Sequence, residues 1–149
     1  MYTLKTQTIA ALSLVLCAVS ANAADIQVKM LDNSATEGLF SFEPSFVKAD
    51  VNDTIVFIPT NQAHNTSSML IPSGAQAWKS PYNKEVRVKL EKEGVYLYSC
   101  DAHKKMGMVG VVQVGKAVNL EEAKKKVAEE SATMAMNKDR FTKAIEKVK

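Results

Sequence analysis

Four side chains in this sequence have the types and the spacing for redox chemistry on a metal. Cys100, His103 and Met108 fall in one short stretch as C-x2-H-x4-M, and His64, the only other histidine, lies far upstream. Two imidazoles and a thiolate form a trigonal set for one copper ion, and a thioether adds a weak axial donor. The set is a compromise between what copper(I) and copper(II) prefer, so little has to move when an electron arrives. One-electron transfer is the chemistry that follows, with no catalytic residue and no enzymatic turnover expected.

The alternatives each lack a part or leave one idle. Haem attachment needs C-x-x-C-H, and the first cysteine is missing. Zinc accepts cysteine and histidine but gains nothing from a thioether. A cysteine hydrolase needs a base held against Cys100, and His103, three residues on, is better placed to share a metal. A second copper centre has no spare histidines to bind it. A carrier that hands over copper itself remains the second reading, which a solvent-open, methionine-rich site would favour.

The elements that must hold these donors are strands and one loop. Residues 94–115 read as a strand ending on Cys100, a short loop and a second strand of apolar and β-branched residues. Three donors therefore share one tight inter-strand loop, while His64 comes from the polar segment TNQAHNTSS. Upstream, ADIQVKML alternates with Ile26, Val28 and Met30 on one side, as a half-buried strand does. The stretch 32–38 is turn-rich, and 39–47 reads as a strand interrupted by Pro44, which proline keeps off a central ladder. TIVFIP (54–59) has the apolar character of a doubly buried strand, and EVRVKL (85–90) points Val86, Val88 and Leu90 inward. Residues 69–81 read as an irregular connection with one helical turn, in which Trp78 serves packing. Short strands with a turn about every ten residues imply a mainly β chain, a β-sandwich with Greek-key connections.

After Gly115 the period changes. Asn119 is placed to cap a helix with Glu121 and Glu122 in its first turn, and Leu120, Ala123 and Val127 form its apolar stripe. A second helix starts near Lys138, where Phe141, Ala144, Ile145 and Val148 recur at helical spacing. Stripes this narrow do not fold alone, so both helices are expected to pack on the sandwich.

The first residues read as an export signal: Lys5, an apolar run from Ile9 to Val19, then Ala21-Asn22-Ala23, small residues of the kind a signal peptidase reads. The run is shorter than the roughly 20 residues of a spanning helix. Cleavage after Ala23 is expected, leaving residues 24–149 as one domain, with 24–115 the sandwich and 116–149 the helical extension. Cys17 leaves with the signal, and Cys100 is then the only thiol, a residue that must be protected or used. Only Lys5 among the charged residues lies in the signal, so the formal net charge of +3 falls by one. So balanced a surface argues against nucleic acid, and nothing in the expected mature chain points to a membrane.

With the loop, the flanking strands and the helices in view, the sequence resembles the cupredoxins, the blue copper proteins, and most of all their pseudoazurin branch. ADIQVKML, the FEP of Phe42 to Pro44, Ala63-His64-Asn65, the strand from Gly94 to Cys100, the MGM of Met106 to Met108 and the two helices carry the resemblance. It implies an eight-stranded Greek-key sandwich with two C-terminal helices, working as a periplasmic monomer. It also implies a type 1 copper held by His64, Cys100, His103 and Met108, with Met106 a decoy. Asn65 matches the residue that supports the thiolate and ties the two ligand loops together. Where many of these proteins carry a proline, Ala102 stands here, leaving an N–H expected to reach the Cys100 sulfur. Phe40 is expected over the His103 ring. The implied partners are a copper nitrite reductase or a c-type cytochrome, in denitrification, docking at the His103 face beside Lys104 and Lys105. The sequence leaves open whether Lys124 to Lys126 join that face.

Overall fold

The protein was analysed as a computed structural model that describes residues 23–149. The expected export signal, Cys17 included, lies outside the described residues apart from Ala23. Among the described residues eight strands make two four-stranded sheets. One sheet has the order β2 (Gly38–Glu43), β1 (Asp25–Ser34), β4 (Thr54–Pro59), β6 (Val86–Lys89). The other has the order β3 (Phe46–Ala49), β8 (Val109–Val114), β7 (Gly94–Ser99), β5 (Ser67–Leu70). Two helices follow, α1 (Leu120–Ala132) and α2 (Lys138–Ile145).

The stretch 39–47 is two strands in different sheets. β2 pairs antiparallel with β1, whereas β3 runs parallel to β8. Pro44, which has no N–H to give a ladder, stands at the crossing. β1 also runs on through Asp32 and Asn33, where turn residues suggested that it had ended. Residues 67–70 form an edge strand on β7, with a register shift between Ser68 and Leu70, and 69–81 contain no helical turn. Pairing with β7, rather than any alternation of its own, makes this segment a strand.

β7 decides where the site lies. Tyr96, Tyr98 and Cys100 point between the sheets, into a core with Val28, Met30, Phe42, Ile55, Phe57, Val112 and Val114. Val95 and Leu97 point the other way, onto the helices, where Val109, Val111, Ala123, Val127, Phe141, Ala144 and Ile145 complete a second core. Both faces of β7 and β8 are thus covered, and every residue of the two strands is buried. The period-two rule that aims Tyr96 and Tyr98 inward also delivers the Cys100 thiol to the end of the inter-sheet core.

The helices dock as their stripes require, but Asn119 does not cap. It stands at the N-cap position of α1 with no side-chain cap bond. Its Oδ1 instead accepts from the Val95 N–H at 2.7 Å, and its Nδ2 donates to the Val95 carbonyl at 3.0 Å. Being bonded to β7 on both sides, the amide fixes where α1 begins on the sheet.

Candidate metal centre

The hairpin β7–β8 closes through residues 100–108, which carry three of the four expected donors. The Cys100 N–H donates to the Met108 carbonyl at 3.0 Å, extending the ladder past Ser99. Inside the loop, the His103 carbonyl accepts from the N–H groups of Met106 (2.9 Å) and Met108 (3.1 Å) around a single 3₁₀ turn, Lys104–Met106. Gly107 ends that turn at φ 77°, a left-handed conformation that suits glycine. His64 arrives from the β4–β5 loop, its carbonyl accepting from the Asn83 N–H at 2.8 Å.

These segments bring His64, Cys100 and His103 together. The two Nδ1 atoms are 3.2 Å apart, and the Cys100 Sγ lies 4.0 Å from that of His64 and 3.6 Å from that of His103. A point at the centre of this triangle is about 2 Å from each donor, bonding distance for a metal on imidazole. Asp32 fixes the tautomer: an ionised carboxylate only accepts, so His64 Nε2 donates to Asp32 Oδ1 at 2.9 Å and Nδ1 keeps its lone pair. Two ring nitrogens and a sulfur are thus turned toward one point, a nitrogen-and-thiolate set that fits a soft metal ion such as copper.

Cys100 and His64 are fully buried, and His103 is half-buried. Burial pushes the His64 imidazole below its ordinary pKa despite the pull of Asp32, which keeps the ring neutral, the form a metal needs. Met108 is fully buried in the same core as Cys100, while Met106 is exposed. Phe40 stacks on His103, ring centroids 4.4 Å apart and planes 13° from parallel, as expected.

Asn65 ties the two ligand segments together: its Oδ1 accepts from the Asp101 N–H at 2.8 Å and its Nδ2 donates to Asp101 Oδ2 at 2.9 Å. The expected backbone bond to sulfur is not formed. Among the described residues only the two imidazole nitrogens lie within hydrogen-bonding reach of the Cys100 Sγ. The turn closes on the Cys100 carbonyl instead, which accepts from the His103 N–H at 3.3 Å, and Ala102 is exposed.

The lysines after His103 differ from each other. Lys105 is exposed, but the Lys104 ammonium lies 3.1 Å from Glu130 of α1, a carboxylate it shares with Lys126 at 2.9 Å. Lys124 is paired with Glu121 at 2.9 Å. Two residues of this region were passed over in the sequence. Asp32 fell in the turn-rich stretch 32–38, and Arg140 was assigned no role. A signal existed for the second: Arg140 is one of only two arginines in a lysine-rich chain, four positions before the buried Ala144.

A family model described as copper binding proteins of the plastocyanin/azurin family matches residues 28–115. Pseudoazurin of Paracoccus pantotrophus is 40% identical over 118 residues, 77% of this chain and 81% of that protein. Pseudoazurin of Methylorubrum extorquens is 43% identical over 107 residues, 70% of this chain and 72% of that one. The crystal structure of native pseudoazurin from Hyphomicrobium denitrificans superposes with a TM-score of 0.74 at 38% identity, covering 84% of this chain and 98% of that one.

Proposed function

Since this chain belongs to the plastocyanin/azurin family of copper-binding proteins, in its pseudoazurin branch of one-electron carriers, we propose that it shuttles electrons in the periplasm, and that a copper nitrite reductase or a c-type cytochrome is its partner. The observation that carries this reading is the convergence of His64, Cys100 and His103, whose donor atoms all lie within 4.8 Å of one another. Met108, buried in the same core as Cys100, would complete the donor set with its thioether. Copper held there supplies a one-electron couple, copper(I)/copper(II).

The chain's own residues supply the rest. Three buried donors, His64, Cys100 and Met108, would keep water and chelators from the metal, and the ring edge of half-buried His103 is the point at which a partner would make contact. Phe40 covers that ring and limits its swing. Lys105 gives the port a positive charge, which steers an acidic partner into a short-lived encounter. A carrier that gives up its ion needs donors within reach of the acceptor, and burial of the thiolate and of one imidazole counts against that reading.

The test is the visible spectrum of the protein on addition of copper(II), then ascorbate. Electron transfer through this site requires an intense blue thiolate-to-copper band that bleaches on reduction and returns on reoxidation. A colourless protein that binds copper(I) and yields it to a chelator overturns the reading in favour of the carrier.

A further inference from the structure

The helical extension meets the ligand loop at three successive carbonyls. Lys105 O accepts from the Ala135 N–H at 2.7 Å, Met106 O from Asn137 Nδ2 at 2.9 Å, and Gly107 O from Arg140 Nη1 at 2.6 Å. The same side chains reach the segment that carries Phe40. Arg140 Nη1 also donates to Phe40 O at 2.6 Å, and Nη2 to Glu37 O at 2.6 Å and Leu39 O at 2.9 Å. Asn137 Nδ2 lies 3.3 Å from Leu39 O.

Arg140 is buried, 7% exposed, and forms no ion pair among the described residues. Four carbonyl dipoles solvate its charge, and the planar fork fixes their relative positions. Approach is close throughout: a Cβ on Gly107 would lie 2.7 Å from the Asn137 Cβ. Phe40 and Asn137 themselves hold left-handed backbones, at φ 45° and 50°, conformations that persist where surroundings enforce them.

We propose that this clamp, and Arg140 above all, is a positioning device for the copper centre, so that the C-terminal extension is part of the site rather than an appendage to the sandwich. The inference rests on the copper reading above. One nitrogen, Nη1, bonds both the carbonyl just before Met108 and the carbonyl of the residue stacked on His103. It thereby sets the spacing between the thioether's backbone and the aromatic cover of the imidazole. Lysine at this position offers one point charge on a flexible stem and cannot reproduce the fork. The loop would then sample several geometries in place of one.

The experiment compares the copper-loaded wild-type chain with Arg140→Lys, with Asn137→Gly, which removes the amide while tolerating the left-handed backbone, and with Ile145→Val, which weakens the same helix without touching the clamp. The readouts are the relative intensities of the visible charge-transfer bands, the electron paramagnetic resonance spectrum, the rate of copper(I) release to a chelator, and Tm. Arg140→Lys and Asn137→Gly should alter the band intensities and release copper about tenfold faster, the range seen when groups supporting metal ligands are changed. Ile145→Val should lower Tm and keep the wild-type spectrum. If the two clamp variants keep wild-type spectra and release rates, whatever their Tm, the clamp is only structural and the proposal is overturned. Should Arg140→Lys fail to fold, Asn137→Gly decides. A wild-type chain without a visible band instead overturns the copper reading itself.

Discussion

At the scale of the residue, the site is built from donors that chemistry makes conspicuous and from supports that it does not. Cys100, His103, Met108 and His64 stand out because few residue types bind a soft metal and this chain has only two histidines. Phe40 could be placed over His103 by resemblance. Asp32 and the true work of Asn119 could not be read, since each acts on a group 24 or more positions away along the chain and leaves no local pattern. Ala102 shows the opposite error, a bond expected and not formed. Because its N–H does not reach the sulfur, Ala102→Pro should leave the reduction potential nearly unchanged; a marked fall, measured by voltammetry, would show that it does. Glu130 yields a prediction in pH. Burial pushes its carboxyl up, but hydrogen bonds and charges from Lys126 and Lys104 prevail and hold it below the ordinary value. A group depressed on folding contributes stability that is complete above its unfolded pKa and lost as pH falls through the folded one. Acid titration of Tm should thus show a loss below about pH 4.5 that is absent in Glu130→Gln, at a cost near neutrality of about 1 kcal/mol or less.

At the scale of the element, β7 and β8 were legible because their runs of apolar and β-branched residues suit strands covered on both faces, and α1 and α2 because their stripes recur at helical spacing. β5 was not legible, since Ser67–Leu70 has neither alternation nor an apolar run. What fixes it is the strand beside it. The pairing of β7 with β8 sets Gly110 opposite Tyr98, where an added Cβ would lie 2.2 Å from the tyrosine Cζ. Tyr98 is fully buried and cannot retreat, so Gly110→Ala should destabilise the fold by about 1–3 kcal/mol or more in denaturant unfolding. Among the described residues the Tyr98 hydroxyl has no hydrogen-bond partner, and burial raises its pKa far above the ordinary value. Tyr98→Phe removes an unsatisfied buried group and should leave stability unchanged or raise it by about 1 kcal/mol; a loss above that size would reveal a bond to the hydroxyl.

At the scale of the whole molecule, two sheets and two helices make two cores that share β7 and β8, and the ligand loop lies where all three layers meet. The sandwich was legible from the rhythm of strands and turns. The division at Pro44 into different sheets was not, because membership of a sheet depends on partners far along the chain. Charge also acts at this scale. Lys104 is held by Glu130 whereas Lys105 is exposed, so the steering field at the port should come mainly from Lys105. Lys105→Glu should slow transfer to an acidic partner about tenfold at low ionic strength, an effect fading as salt rises. Lys104→Glu should slow it less, and stopped-flow rates in the reverse order would refute this division. The parallel strands carry a consequence of another kind, one of timing. β3 finds its partner only when residues 111–114 are present, and β1 cannot join β6 except through β4. Contacts so distant in sequence delay folding, to milliseconds or longer in sandwiches of this sort. A ribosome that has delivered only the first half of this chain holds nothing able to fold around Cys100, so the thiol's shelter and its companions arrive in a single late event.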